Sequence, residues 1–418
     1  MAEPNDVAEL RDEVRSWLAE WWDPERPVVE WRGLLADAGW ACPTWPVGWY
    51  GRGLSPRLAA VVTEELHAAG AVGHATGVGM SLAAPTILAH GSDDLKRRLL
   101  RPILTGEHTW CQLFSEPGSG SDLAGLTTRA QRDGDEWVVD GQKVWNSGAH
   151  KAAYGMLLAR TNWEVPKHRG ITYFAIPMGQ PGVDVRPLRQ MNGHATFNEV
   201  FLTGARVADE DRVGDEGEGW RVALTTLAHE RGVATGRRPR LDRQGGRTVQ
   251  EASAEAAEYY KTYQWYPQRA GRADLVVPRA QETGANADPV VRQQVVATHT
   301  LAQTARWGVQ RTLAARAQGR QPGPEGSLAK LNGSRLARSC AIAHTAIGGA
   351  SGMLSGEDAP EGGTIAEVLV SVPAMSIAGG TDEIQHNIIG ERVLGLPKEP
   401  SLDNDVPFRE VRTNTGRG

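Results

Sequence analysis

Cysteine is scarce in this sequence. Cys42, Cys111 and Cys340 are the only three, and they lie far apart. Scattered thiols make neither a disulfide framework nor a metal cluster, and they point to a reducing compartment. A strong basic balance is missing too: the formal net charge is −5, and no Lys/Arg run marks a basic groove, which argues against a nucleic-acid binder. Long apolar runs are also wanting. The longest uncharged stretch, roughly His74 to Ser92, is broken by His, Gly, Pro and Thr, which disfavours a membrane span and suits a buried helix pair. The eleven His are dispersed, with no His-Glu-x-x-His, so no metal site is expected. The N-terminus, Met-Ala-Glu-Pro-Asn-Asp, is acidic and lacks an apolar core, so no signal peptide is expected and the expected location is cytoplasmic. Phe is rare at five, but Trp numbers fourteen; a Trp-rich core is a plainer account of these than a roomy pocket. The length of 418 residues is enough for a large core in two or three layers or domains.

Residues 5 to 22 read as an amphipathic helix, with Val7, Leu10, Val14, Leu18 and Trp21 at spacings of three and four. A second helix spans Pro27 to Ala38. Ser55 with Pro56 reads as a helix N-cap and first turn, and helices follow around 78 to 90 and 93 to 104. From about 111 the period turns from helical to alternating. Asp133-Gly134 and Asp140-Gly141 are both hairpin signals. Tyr154 to Arg160, Ile171 to Ile176, Val183 to Leu188 and Asn198 to Val207 read as short strands of a small antiparallel barrel or sandwich. No strand–helix alternation supports a doubly wound dinucleotide fold. Gly77-Val78-Gly79 lacks the preceding strand and the third Gly of such a site. Helices resume at Trp220 and dominate to about 396. Residues 241 to 290 are polar and read as an interrupted helix plus a long connection. Residues 399 to 418 read as a loose polar tail.

The stretch 111 to 148 stands apart. Ser115-Glu-Pro-Gly-Ser-Gly-Ser121-Asp cannot be a helix interior, because Gly and Pro both break one. It reads as a loop whose N–H groups and hydroxyls lie open to a flat polar ligand. The strand that follows ends on Trp145-Asn146-Ser147, where alternation sets the Trp and the Ser on one face. An aromatic plane beside a hydroxyl suits a heteroaromatic ring; a hairpin with a packed Trp is the alternative from the residues alone.

Together these two segments resemble the flavin-binding signature of the acyl-CoA dehydrogenase family, and the resemblance extends over nearly the whole chain. It implies an α+β protein with an N-terminal helical domain (1–110), a middle antiparallel β-barrel domain (111–215), a C-terminal helical bundle (216–398) and a tail (399–418). It implies FAD as cofactor, with Gln112, Phe114, Ser115, Gly120, Ser121, Trp145, Asn146, Ser147, Thr381 and Glu383 as contacts. Ser121, Arg231 and Gly379 are implied to meet the acyl-CoA. Gly348-Gly349-Ala350-Ser351-Gly352 resembles a loop that reaches a neighbouring subunit's FAD, whereas the family's Arg-x-x-Phe-Gly segment is not recognisable.

The family's reaction removes an acyl α-proton with a base, normally Glu, while the β-hydrogen leaves as hydride to the flavin. The commonest such Glu precedes a Gly-Thr pair late in the chain. Here that position is Gly379, which keeps a backbone donor and cannot be a base. The candidate in its place is Glu230. On the helix from Trp220 it shares a stripe with Ala223, Leu227 and Ala234, and a carboxylate on an apolar stripe is costly unless paired or used. Pairing with an Arg such as Arg237, or pointing to solvent, is the structural alternative. In some branches of the family, including actinobacterial steroid-side-chain dehydrogenases, the base stands on this helix directly before an Arg, as Glu230-Arg231 does. The expected activity is FAD-dependent α,β-dehydrogenation of an acyl-CoA, with a bulky or branched acyl group. Electron-transfer flavoprotein is the expected acceptor, and a homo-oligomer (dimer or tetramer) or heterotetramer the expected assembly. Two rival expectations are a cofactor-supporting subunit of a heteromeric pair and a flavin oxygenase or N-hydroxylase on the same scaffold.

Overall fold

The computed structural model describes residues 4–233, 245–317, 323–324, 326–400, 403 and 405–411. The chain forms two compact units. One comprises Met1–Leu188, Ala195–Thr262 and Leu402–Gly418; the other comprises Arg189–His194 and Tyr263–Ser401.

The first unit opens with helices α1 (Pro4–Trp21), α2 (Val28–Asp37), α3 (Pro56–Ala68), α4 (Ala84–His90) and α5 (Asp93–Thr105). Their ends follow local chemistry. The Ser55 hydroxyl accepts from Leu58 N with Pro56 in the first turn, and the Ser92 hydroxyl accepts from Leu95 N at 3.1 Å. Gly106 closes α5 at φ +89°, a conformation only Gly takes cheaply. Val14, Trp31, Leu35 and Val62 are fully buried between the first helices. Glu65, also buried, is held by Arg11 and by Arg15 Nε at 2.7 Å, which ties α3 to α1. A π-turn over Gly79–Ala83 leads into α4. Pro85 sits just inside α4, and the proline has no N–H to continue the regular ladder.

Seven strands follow: β1 (Trp110–Leu113), β2 (Arg129–Asp133), β3 (Glu136–Ser147), β4 (Tyr154–Arg160), β5 (Ile171–Pro177), β6 (Val183–Leu188) and β7 (Phe197–Ala208). The sheet order is β1-β4-β2-β3-β7-β6, with β5 on the other side of β4. Most pairings are antiparallel, as expected, but β1 and β2 both meet β4 in parallel. Asp133-Gly134 turns the chain between β2 and β3, as its sequence predicts. Asp140-Gly141 does not. β3 runs straight through it, and the register against β7 shifts between Val139 and Gly141. Gly141 is needed there because a Cβ would lie 2.7 Å from Thr128 Cα. The glycine marks a bulge where two backbones approach closely, rather than a turn.

Helix α6 (Gly219–Val233) packs on α4 and β5. The stretch expected to end in a long connection is mostly helical: α7 (Arg247–Lys261), α8 (Tyr266–Arg269) and α9 (Ala273–Glu282). Within the first unit α7 packs on α2, where Glu255 pairs with the buried Arg32 at 2.5 Å and Glu251 accepts from Val28 N at 2.8 Å. Residues 241–244 lie outside the described ones. The final segment is not a loose tail where it is described. Phe408 is fully buried, and its N–H donates to Val165 O at 2.9 Å.

The second unit contains α8, α9, α10 (Pro289–Ala317), α11 (Gly326–Gly348), α12 (Thr364–Ser371), α13 (Pro373–Ile377) and α14 (Asp382–Ile388). The apolar run Pro360–Val393 has the length and composition of a membrane-crossing helix. It is broken, however, by Gly362, Gly363, Gly379 and Gly380, all at positive φ. Its longest helix, α12, spans only about 12 Å against the ~30 Å of a bilayer core.

Candidate functional site

The loop after β1 is folded on itself. Glu116 and Ser119 exchange two backbone hydrogen bonds of 3.0 Å around Pro117-Gly118. The Ser119 hydroxyl donates to Asp122 O at 2.5 Å, where a short 3-10 turn, Leu123–Gly125, begins. Ser115 is half-buried, while Gly120 and Ser121 are exposed. The loop therefore shows its glycine and hydroxyl side outward and is anchored from within.

The anchor is Glu116. Its carboxylate accepts from Thr127 N at 2.7 Å, Thr128 N at 2.8 Å and Lys143 Nζ at 2.9 Å, and both charged side chains are buried. Burial alone would raise its pKa. The Lys143 ammonium and the Thr127 and Thr128 donors outweigh that and hold it at about 2. Lys143 also donates to Phe114 O at 3.0 Å, so one ammonium fixes both ends of the turn into the loop. Phe114 offers the site only backbone, because its ring is buried edge-on to Tyr173 at 5.8 Å.

At the end of β3 the register against β7 shifts again, between Lys143 and Asn146. Trp145 sits in this irregularity at φ +65°, in the left-handed region that a Trp rarely adopts. The bulge changes the alternation: Lys143 and Val144 are both buried, Trp145 is 56% exposed, Asn146 is buried and Ser147 is half-buried. Phe197 meets the Trp145 ring edge-on at 5.7 Å. Asn146 Nδ2 donates to Gln112 O at 2.7 Å, whereas Asn146 Oδ1 is buried without a hydrogen-bond partner among the described residues. An exposed indole held in strained backbone beside an orphaned buried amide oxygen fits a flat heteroaromatic ring that also donates hydrogen bonds.

Glu230 lies on α6, half-buried on the stripe that also carries the buried Ala223 and half-buried Leu227. The Gln112 amide nitrogen approaches its Oε2 at 3.4 Å. α6 is fixed in place by hydroxyls: the buried Thr226 meets Thr86 at 2.9 Å and Tyr173 at 3.3 Å, and the half-buried Thr225 meets His90 at 2.8 Å. The structure thus joins three of the sequence-derived residues in one chain of contacts, Asn146 to Gln112 to Glu230. Arg231 follows Glu230 on α6, while Ala234 and Arg237 lie outside the described residues.

Gly379, Thr381 and Glu383 belong to the second unit. Gly379 has φ +69°, with nothing within 4 Å of where a Cβ would stand, and its carbonyl accepts from the Gln385 amide at 3.2 Å. The Thr381 hydroxyl caps α14 by accepting from Ile384 N at 3.3 Å, and Glu383 is exposed in the first turn. Beside them Asp382 is buried and bound to Ser334 Oγ at 2.8 Å, Lys330 at 3.1 Å and Arg338 at 3.1 Å. Burial pushes its pKa up, but these partners keep it below the usual carboxylate range.

Sequence reasoning missed the Glu116–Lys143 pair and the buried Arg160. Period-2 counting along β3 does carry Trp137 and Val139 to Lys143 on the inward face, which was the available signal.

Models of the acyl-CoA dehydrogenase N-terminal, middle and C-terminal domains match residues 7–107, 111–229 and 272–394. The chain is 35% identical to acyl-CoA dehydrogenase IpdE1 of Mycobacterium tuberculosis over 94% of its own length and 99% of that protein. It is 37% identical to acyl-CoA dehydrogenase FadE34 of the same organism over 94% of its own length, but spans only 49% of that relative. Among solved structures it resembles the ChsE4-ChsE5 complex of M. tuberculosis, with 28% identity, 96% and 100% coverage and a TM-score of 0.63. It also resembles the Tcur3481-Tcur3483 steroid ACAD, with 27% identity, 95% and 99% coverage and a TM-score of 0.63. The chain belongs to the acyl-CoA dehydrogenase family, whose members are flavoproteins.

Proposed function

We propose that the chain dehydrogenates a bulky or branched acyl-CoA to the trans-2-enoyl-CoA, with Glu230 as the base. The observation that supports this most is the contact chain in which Asn146 binds the backbone of Gln112 and the Gln112 amide meets Glu230. It links the strand that would hold the flavin to the only acidic side chain of α6. FAD, when bound, supplies the hydride acceptor. Trp145 would lie against its ring, the Ser147 hydroxyl would donate a hydrogen bond to it, Asn146 Oδ1 would accept one from it, and Ser115, Gly120 and Ser121 would line its edge. The family resemblance proposes Thr381 and Glu383 as contacts of its polar portion. Glu230 takes the α-proton. The Gln112 amide steadies the carboxylate that receives it, and Ser121 and Arg231 bind the thioester substrate. Gly379 contributes a backbone N–H to the oxygen that gains charge. The lack of a side chain at 379 favours a bulky acyl group. An electron-transfer flavoprotein is the proposed electron acceptor.

One observation favours a second reading. Gly379 occupies the place of the family's commonest base, and the similar ChsE4-ChsE5 structure is a complex of two chains. The chain would then support the cofactor of a heterotetramer whose partner carries the base.

The test is anaerobic flavin bleaching by straight-chain, branched and steroidal acyl-CoAs, on wild type and on Glu230→Gln. The proposal expects bleaching by the bulky class, slowed about 10²- to 10⁴-fold in the variant. Bleaching that survives the substitution removes Glu230 as base. No bleaching by any thioester sends the search to a partner chain, or to oxygen consumption by a flavin oxygenase.

A further inference from the structure

Arg160 ends β4 and is fully buried. Its guanidinium makes three donations to backbone carbonyls: Nη2 to Ala124 O at 2.7 Å, Nε to Leu126 O at 3.1 Å and Nη1 to Lys167 O at 3.0 Å. The first two grip the turn that closes the Ser115–Asp122 loop. Lys167 grips the same place from outside, with Nζ on the Asp122 carboxylate at 3.0 Å.

Both cations are covered by the last described segment of the chain. After the second unit the chain returns to the first. The Phe408 ring centre lies 3.4 Å from Arg160 Cζ, and Trp163 packs on Phe408 at 5.3 Å. Phe408 and Arg409 donate their backbone N–H groups to Val165 O and Trp163 O, and Arg409 pairs with Glu164 at 2.7 Å. Asp403 stands 3.7 Å from Lys167 Nζ. A guanidinium face stacked on a buried ring is shielded from water, which strengthens its bonds to the carbonyls. Phe408 lies 248 positions from Arg160, too far for local folding to explain the contact, and it seals the back of the loop whose front is exposed.

We propose that Phe408 and Arg160 are positioning residues for the cofactor: the C-terminal segment is a strap that fixes the Ser115–Asp122 loop in the shape that binds FAD. This rests on the assignment of that loop to FAD. The strap acts before any ligand arrives, so it is testable in the flavin-free protein.

Phe408→Ala and the milder Phe408→Leu are compared with wild type in the full-length chain. Amide hydrogen exchange is followed without flavin, and FAD affinity is titrated at a temperature where circular dichroism shows all three folded. The expected result is faster exchange confined to residues 116–126 in Phe408→Ala, with FAD affinity lowered about tenfold, the size of a desolvated cation–π contact. Phe408→Leu, which keeps the burial, should fall between. Unchanged exchange in 116–126, or faster exchange there with unchanged FAD affinity, overturns the proposal. If wild type takes up no FAD, the flavin assignment fails, and the exchange data alone decide whether the strap orders the loop.

Discussion

Lys143 donates to Glu116 at 2.9 Å with neither side chain open to water, and the pair holds the loop of the candidate flavin site. Breaking a buried pair by removing one partner strands the other charge, which costs far more than the pair contributes. Lys143→Met should therefore lose about 3–5 kcal/mol. The Glu116→Gln/Lys143→Met double variant, which buries no charge, should recover much of that. Thermal melting of the flavin-free proteins checks it. Equal melting temperatures for the single and double variants would mean that the ion pair is not what holds the turn.

The same carboxylate predicts acid sensitivity. Its folded pKa of about 2 lies below the ordinary 4.5. A depressed carboxylate contributes stability above its unfolded pKa and loses it as pH falls through the folded one. The contribution, about 3 kcal/mol, should be intact at pH 6 and fade between roughly pH 4.5 and 2. The melting temperature of wild type should fall more steeply over that window than that of the double variant. Parallel curves would show that Glu116 does not drive the acid loss.

Trp145 offers a test in which stability and binding part company. Its φ of +65° is strained for any residue but Gly, at a cost of about 1–2 kcal/mol. Its ring is mostly exposed, so little packing is lost without it. Trp145→Gly relieves the strain, partly offset by a freer unfolded chain. The flavin-free melting point should stay near wild type while FAD affinity drops at least tenfold, the loss of one stacked aromatic face. Trp145→Phe should keep most of the affinity. A clear loss of stability in Trp145→Gly would make the residue a packing element and weaken its assignment to the cofactor.

How far the sequence foretold this site can be judged from β3. Alternation and the Asp133-Gly134 turn located the strand to within a few residues, and the Gly/Pro/Ser pattern marked the loop before it. Alternation then failed at Trp145, where the extra residue lies on β3 and shifts its side-chain phase by one; at the Gly141 shift the extra residue lies on β7, so β3 keeps its phase as far as Lys143. Nothing local to Asp140-Gly141 distinguishes a turn from a close approach to Thr128, which lies just before β2. The helix of Glu230 was legible from its 3.6-residue stripe, but its hydroxyl contacts to Thr86 and Tyr173 were not. The C-terminal segment is polar apart from Leu402, Val406, Phe408, Val411 and its prolines, so the burial of Phe408 depends on Arg160 and Trp163 far upstream. Contacts of that span leave no period in a sequence.

Gln112 divides the labour of the site between its two ends. Its backbone carbonyl receives Asn146, and its side-chain amide reaches Glu230 at 3.4 Å. Gln112→Leu keeps the first and removes the second, so FAD affinity should hold. The Glu230 carboxylate then lacks a donor that fixes its rotamer, and a misplaced base slows proton removal without weakening substrate binding. The expected outcome is kcat lowered about tenfold with KM nearly constant, since a single hydrogen bond to a charged group is worth ~1.5–3 kcal/mol and this one is long. Gln112→Glu should be worse, because a second carboxylate beside Glu230 favours the protonated, inactive form of the pair. Anaerobic stopped-flow reduction separates these effects from product release. Unaltered reduction in Gln112→Leu, with Glu230→Gln inactive, would leave Glu230 as the base and assign its orientation to some other neighbour.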